Sequence, residues 1–471
     1  MADGIDAGDR RSDRCPAISY QELLELDGDR APDFLRMESP ADIPLEPVAA
    51  SRYTSADFLK LETAAVWHRS WQFACREDAI PQPGDCHLYE VAGKSAIIVR
   101  QADGSIKALQ NACLHRGRKL VTEPGHKPQL KCPYHGFAWK IDGSLSCNPA
   151  PWDFPQVDES CFSLPELAVD SWEGFVFVNF DRDAPPLASV LHPLPEHFAG
   201  WNMADCYQAA HVGKIVPANW KAAVEAFIES FHVTCTHPQL TPYTGDANSQ
   251  YDILSDHVCR FITPLGTPSP LIDSTSFTPE KLIDYWFANG SRAGNVDDEN
   301  APRPGEQPRA FAARLARRNW SEKTGRDLSG VSTAELIDAI SYNFFPGFSV
   351  WGGVGSHIGY RWRPWEGRPD RCLMEVFLWV LPPAGEAKPA PASFNLLAED
   401  QSWSDAKELG YLGGVYNQDQ VNLRPVQEGM EAMGEDGVLT FSSYAESRCR
   451  NLHRMIDRYI AEYQARREAR S

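Results

Sequence analysis

The spacing of apolar and polar positions changes period several times along the chain. Residues 1–40 are charged and carry Gly and Pro, with one short amphipathic segment at Tyr20-Gln21-Glu22-Leu23-Leu24; this reads as a loose arm over 1–50. From Ser55, a suitable helix cap, Phe58, Leu61, Ala65 and Trp67 recur at helical spacing and predict one buried face. From about 83 the period becomes that of strands. DCHLYEVAGKSAIIVRQADGSIKAL holds two β-rich runs, and Asp103-Gly104 marks a hairpin. Asp142-Gly143 marks another, and GFVFVNFD (174–181) reads as a buried strand. Residues 51–180 are therefore expected to form a compact β domain with a preceding helix.

Helical spacing returns in ANWKAAVEAFIESFHV (218–233), predicted as a single helix. Residues 290–335 are rich in charge, Pro and Gly, with a basic helix at FAARLARRNW (311–320), and 265–335 reads as an insertion over a pocket entrance rather than as core. GSHIGYRWRPWEGRPDRCLMEVFLWVLPP (355–383) predicts a hairpin turning at Glu366-Gly367, its second strand buried on both faces. Helices follow over 417–433 and 444–467. Residues 181–471 thus form a second, mixed unit, and the chain is α+β without internal repeats.

The β region contains Cys113-x-His115 and Cys132-x2-His135, with sixteen residues between His115 and Cys132. Each half offers one thiolate and one imidazole from a loop punctuated by Gly117, Pro133 or Gly136. Two chemistries suit the quartet. One is a closed tetrahedral zinc. The other is a Rieske [2Fe–2S] cluster, in which two Cys hold one iron and two His the other, raising the reduction potential. Zinc fingers usually place Cys-x2-Cys before His-x3-His; here each half is mixed, which favours the cluster.

Together with Asn111, Arg116-Gly117, Leu120, Pro133-Tyr134 and Gly136, this stretch resembles the alpha (terminal oxygenase) subunits of Rieske-type non-heme iron ring-hydroxylating oxygenases. The resemblance runs from about 50 to 465. It implies an all-β Rieske domain inserted in a helix-grip (START-like) antiparallel-sheet catalytic domain. It also implies a head-to-tail homotrimer, with or without a beta subunit. Rieske domains occur in pure electron carriers too, so this motif alone does not make an enzyme.

A second constellation lies in NWKAAVEAFIESFHVTCTHP (219–238). Glu229 and His232 are three apart, on one face of the expected helix. Pro238 disfavours helix at His237, freeing that side chain to swing in from the helix end. Two His and a distant carboxylate form the facial triad of non-heme Fe(II) oxygenases, which leaves open positions for O2 and substrate. The third ligand is expected to be Asp419, opening a late helix in YNQDQVNLRPVQEGM (416–430), which resembles the family's third-ligand segment; Asp400 and Asp405 compete. By resemblance, Glu229 occupies the position of the carboxylate that bridges cluster and iron across the subunit interface. Many aromatic dihydroxylases have Asp there, while a subset that includes oxygenases of quaternary amines has Glu. Glu225, one turn earlier, reads as a solvated or capping charge.

Composition narrows the partners. The 471 residues suit about two to four domains. A net charge of -19 argues against nucleic acid as a partner. No apolar run approaches the roughly 20 residues of a membrane helix, and the polar N-terminus carries no signal peptide, so a cytoplasmic protein is expected. Of twelve cysteines, Cys113 and Cys132 go to metal and the other ten are expected as buried hydrophobes. Against the overall charge, Arg116, Arg118, Lys119, Lys127, Lys131 and Lys140 surround a single acid, Glu123, for a local +5. That patch reads as a docking surface for an acidic electron carrier.

No GxGxxG follows a strand, so electrons from NAD(P)H must come through a separate reductase or ferredoxin. The expected function is a terminal oxygenase using one [2Fe–2S] cluster, one mononuclear Fe(II) and O2 to hydroxylate or dihydroxylate an aromatic or other apolar ring, as in aromatic hydrocarbon catabolism. Phe227, Phe231, Phe344, Phe345, Phe348 and Trp351 are the expected pocket residues. Two alternatives stand beside it: a monooxygenase or demethylase of a quaternary ammonium or methoxy compound, and an electron-transfer protein without oxygenase activity.

Overall fold

The structure is a computed structural model that describes residues 14–29, 31–158, 160–294, 296 and 300–469. Its first unit is the expected β domain. A seven-stranded antiparallel sheet runs in the order Gln72–Arg76, Phe175–Asn179, Glu166–Trp172, Ile106–Gln110, Lys94–Arg100, Asp85–Val91, Gly125–His126. A small sheet of Leu130–Lys131, Ala138–Trp139 and Leu145–Cys147 adjoins it. Both predicted hairpins form. Gly104 (φ 87°) and Gly143 (φ 89°) take left-handed backbone conformations that a side chain would strain.

The second unit is built on an eight-stranded sheet in the order Gln250–Ile253, Val258–Thr263, Ala339–Phe344, Phe348–Trp351, Ser356–Trp365, Arg368–Val380, Tyr207–Val216, Asn395–Leu397. All neighbours are antiparallel except the last pair. The hairpin turns at Glu366 and Gly367, both with positive φ, as expected. Its period of two divides the core. Cys372, Met374 and Val376, with Ile358, Tyr360 and Trp362, share a cluster with Tyr416, Leu423, Leu452 and Ile456 of the late helices. Phe377 and Trp379 point the other way and pack with Phe73, Phe175 and Phe177 of the first unit. On that face Glu375 is buried yet accepts from Arg361, Arg363 and His211. The two units therefore share an aromatic core, bolted by one buried carboxylate.

Several expectations need correction. The helix capped by Ser55 forms as Ala56–Glu62 and continues as a π-helical turn over Thr63–Trp67. Its buried face is Leu59, Glu62, Ala65, Val66 and Trp67, while Phe58 and Leu61 are half-buried. The face rotates because Glu62, polar in the pattern, turns inward to meet Trp220 and Lys221. The arm is not loose where it is described. Ser19 caps the Tyr20–Asp27 helix, Tyr20 Oη donates to Asp338, and Arg309 reaches back to Asp27; residues 1–13 of that expectation lie outside the described residues.

The stretch read as an insertion is not peripheral. Its helices Pro279–Ala288, Pro308–Thr324 and Thr333–Ile337 bury Ile283, Trp286, Phe311, Leu315 and Leu336 in the main core. Apart from Arg309 and Arg292, most of its charges lie on the opposite faces, which is why the composition concealed the apolar stripe. Of the ten cysteines expected as buried, Cys75, Cys86, Cys206, Cys259, Cys372 and Cys449 are; Cys147, Cys161 and Cys235 are exposed and Cys15 is half-buried.

Candidate metal centres

The Cys/His quartet stands on two loops of matched construction. In one, Cys113 N donates to Arg118 O (2.8 Å) and Gly117 N to Cys113 O (2.8 Å). In the other, Cys132 N donates to Phe137 O (2.8 Å) and Gly136 N to Cys132 O (3.1 Å). Gly117 and Gly136 both close their loops at positive φ. The backbone N–H groups of His115 and Arg116 aim at the Cys113 sulfur, and those of Tyr134 and His135 at the Cys132 sulfur. Burial pushes the Cys113 thiol up. At Cys132 burial is outweighed by those N–H groups and by the Cys113 thiol, so its pKa is lowered.

The imidazoles of His115 and His135 lie 4.7 Å apart between centroids, and His115 Nδ1 is buried without a hydrogen-bond partner. Two sulfurs cradled by N–H groups, beside two converging imidazoles with an unsatisfied nitrogen, fit a metal–sulfur centre. His135 is exposed, which places that edge of the centre at the surface.

The second constellation does not lie on one helix. The predicted 218–233 helix stops at Glu225, and a separate turn runs Val233–Thr236. Tertiary partners capture the backbone groups released between them: Arg448 Nη1 donates to Ile228 O (2.9 Å), and Ser230 N donates to Tyr251 Oη (3.1 Å). Glu229 and His232 still meet across this break. Glu229 Oε1 lies 2.5 Å from His232 Nδ1, and Oε2 accepts from His232 N at 3.0 Å. As expected from Pro238, the short helix ends at His237.

Asp419 comes from the Leu412–Ala432 helix, which begins five residues earlier than predicted; the residue lies two turns inside rather than at the opening. It belongs to the buried face Tyr416, Asp419, Leu423, Gln427, Met430. The segment's other polar residues dock this helix. Gln427 Oε1 accepts from Asn219 N (2.9 Å), and Asn422 donates to Thr236 Oγ1 (3.2 Å). The result brings His237 Nε2 to 2.8 Å and His232 Nε2 to 3.5 Å from Asp419 Oδ1. One donor atom from each of the three lies within 4.8 Å of the others.

The far nitrogens are also held. His237 Nδ1 lies 2.9 Å from Gln418 Oε1, a partner the sequence pattern did not single out, although it adjoins Asp419. Each imidazole thus has Nδ1 occupied and Nε2 turned to the shared carboxylate, where a divalent metal could replace the proton. Burial works against a charged His232, yet hydrogen bonds to Asp419 and Glu229 push its pKa up to about 10. Burial would raise Asp419, but the two histidines hold it below the usual range. The donor set fits a three-ligand metal site. Asp400 and Asp405 are exposed, and Asp405 caps its own turn at Ser402. Glu225 is neither solvated nor a cap: it accepts from Tyr53 Oη (2.7 Å) and meets His453 Nε2 (2.8 Å).

The triad opens on a cavity of about 180 Å³ that continues into open solvent. Phe227, Trp286, Trp351 and Tyr360 wall it. Of the other aromatics expected there, Phe344, Phe345 and Phe348 are core, and Phe231 is exposed. The sequence pattern missed Trp286 and Arg292, because they lie in the stretch read as an insertion. On the first unit Arg116, Arg118, Lys119, Lys131 and Lys140 are exposed and Lys127 is half-buried; Lys119 pairs with Glu90.

Both units of the chain match known families. Residues 196–462 match the family described as ring hydroxylating alpha subunit (catalytic domain), and residues 70–158 match the Rieske [2Fe-2S] domain. The chain is 35% identical over 189 residues to the large oxygenase component of the naphthalene 1,2-dioxygenase system of Pseudomonas putida, covering 37% of this chain and 41% of that one. It is 33% identical over 192 residues to the carnitine monooxygenase oxygenase subunit of Acinetobacter pittii (strain PHEA-2), covering 40% and 51%. The matches thus span about half or less of these relatives' lengths.

Among solved structures, a quaternary ammonium Rieske monooxygenase aligns with TM-score 0.62 at 17% identity, over 88% of this chain and 95% of that one. Naphthalene 1,2-dioxygenase from Rhodococcus sp. bound to indole aligns with TM-score 0.60 at 20% identity, over 88% and 94%. Both likenesses are of fold. The catalytic-domain match covers more than half of the chain: it belongs to the ring-hydroxylating alpha-subunit family, with a Rieske [2Fe-2S] domain ahead of its catalytic domain.

Proposed function

We propose that this chain is the terminal oxygenase of a multicomponent system that hydroxylates or dihydroxylates an aromatic or other apolar ring. The supporting observation is the His232/His237/Asp419 set facing a cavity walled by Phe227, Trp286, Trp351 and Tyr360. Cys113, Cys132, His115 and His135 would hold the cluster, and His232, His237 and Asp419 the iron. When bound, these groups supply one-electron transfer and O2 activation.

The chain's own residues do the rest. Glu229 and Gln418 fix the orientation of the two imidazoles through Nδ1. The aromatic walls orient a ring above the triad and exclude bulk water. In a head-to-tail homotrimer, Glu229 would bridge His232 to the exposed His135 of the neighbouring subunit, giving electrons a hydrogen-bonded route. The basic patch around Arg116, Arg118 and Lys131 would receive an acidic ferredoxin or reductase carrying electrons from NAD(P)H.

A second reading is supported by Glu229 and by the carnitine monooxygenase relative: oxidation of a quaternary ammonium compound. A substrate screen with a surrogate reductase, reading product masses for one or two added oxygens or a lost methyl, separates the two. Absence of any oxygenated product, with two irons per chain instead of three, would overturn the oxygenase reading in favour of an electron carrier.

A further inference from the structure

Among the described residues lining the cavity, Arg292 is the only Lys or Arg. Its Nη1 donates to the backbone oxygen of Asp338 (3.2 Å) and its Nη2 to that of Ser356 (2.9 Å). Nε is buried and makes no hydrogen bond. The guanidinium lies 5.7 Å from the Trp351 ring centroid. Among the described residues no carboxylate pairs with it. The nearby Asp338 carboxylate is already engaged by Arg309, by Tyr20 Oη and by Leu265 N.

Of the buried arginines among the described residues, three pair with a carboxylate, whereas Arg76 and Arg450 bond only backbone oxygens and do not line the cavity. Arg260 meets Asp252 at 2.6 Å, Arg309 meets Asp27 at 2.5 Å, and Arg361 meets Glu375 at 2.6 Å. Arg448 also lacks an acid, but it stacks on Phe261 at 4.8 Å and does not line the cavity. The half-buried Arg292 guanidinium is pushed down by burial, against the opposing charges of Tyr411 and Asp338. A cation partly removed from water without a directly paired counter-charge is costly, and a forked guanidinium is shaped for a carboxylate. The cavity's own acids, Glu229 and Asp419, are committed to the histidines.

We infer that Arg292 receives a carboxylate of the substrate, so the substrate class is a carboxylated apolar ring rather than a bare hydrocarbon. This rests on the proposed function and deepens it. The aromatic walls would take the ring, and the ligand would supply the missing counter-charge. A zwitterion bearing both a carboxylate and a quaternary ammonium shares the recognised group and is separated from a ring acid by the test.

The test is calorimetric binding to the holoenzyme without O2, using 2-naphthoate, its neutral counterpart 2-naphthamide, and 4-(trimethylammonio)butyrate. Naphthoate should bind at least ~10-fold tighter than the amide, the scale of a charge-assisted pair. Arg292→Gln should bring that ratio to about one, and Arg292→Lys should keep part of it. The aliphatic zwitterion should bind more weakly than naphthoate; the reverse order would overturn the ring assignment. Equal binding of naphthoate and amide by the wild-type protein would overturn the inference and leave Arg292 as a brace for two backbone carbonyls. That wild-type comparison decides even if a variant fails to fold. Oxygenated product from neutral rings without carboxylate preference would spare the proposed function, whereas tight naphthoate binding without any oxygenated product would spare only this inference.

Discussion

Glu62 and Lys221 are 159 positions apart, yet their side chains meet at 2.7 Å with no exposed surface on either. Trp220 Nε1 donates to the other oxygen of Glu62 at 2.6 Å. The helix ahead of the β domain is thereby fastened to the start of the segment that carries both histidines. Removing one partner strands the other as a buried charge. Glu62→Gln should therefore cost about 3–5 kcal/mol in chemical denaturation, and Glu62→Leu with Lys221→Met should recover most of it. A single substitution costing under about 1 kcal/mol, the range of an exposed pair, would refute this role.

His232→Ala should remove one iron per chain and leave the visible spectrum of the cluster intact, because the two donor sets share no residue. Metal analysis beside an absorption spectrum checks this. Loss of the cluster spectrum in the folded variant would show that the sites are not independent.

Gln418→Ala removes the acceptor at His237 Nδ1 without touching a donor to the metal. Loss of such a partner typically weakens metal affinity about 10–100-fold. Competition against a chelator should show that loss for iron, with Gln418→Glu restoring affinity. An unchanged affinity in Gln418→Ala would mean that packing alone orients His237.

Reversing Lys127 and Lys131 to Glu should slow reduction by an acidic carrier and flatten its salt dependence, since steering depends on local rather than net charge. Stopped-flow reduction at several ionic strengths reads both. Unchanged rates at every salt concentration would remove the patch from the docking surface.

Glu375 gives a pH dependence. Burial would raise its carboxyl, but Arg361 and Arg363 hold it well below the usual carboxylate range. A depressed folded-state pKa stabilises above the unfolded value, and that contribution is lost as pH falls below about 4.5. Glu375→Gln should thus lower stability at neutral pH and shallow the acid branch of a stability-versus-pH curve. An acid branch as steep as in the wild type would assign acid unfolding to other groups.

Local chemistry was legible wherever ligands sit close in sequence. Cys113-x-His115, Cys132-x2-His135 and the two glycines fix their loops through bonds within a few residues, so spacing alone marks them as candidates. Ser55, Asp103-Gly104 and Glu366-Gly367 were legible for the same reason, since caps and turns are short-range; the Ser19 cap was not singled out. The 218–233 helix was not, because its break depends on Arg448 and Tyr251, which arrive from distant elements.

Residue types, spacing and the family resemblance therefore pointed to both candidate metal sites and to the existence of most elements. Tertiary structure decided the rest: that Asp419 and not Asp400 or Asp405 meets the histidines, that Glu62 turns inward, and that the 265–335 stretch supplies core and an unpaired guanidinium to the cavity. The reason is physical. A buried charge or a broken helix is tolerable only when a remote partner satisfies it, and the identity of that partner is a property of the packed chain, not of the local pattern.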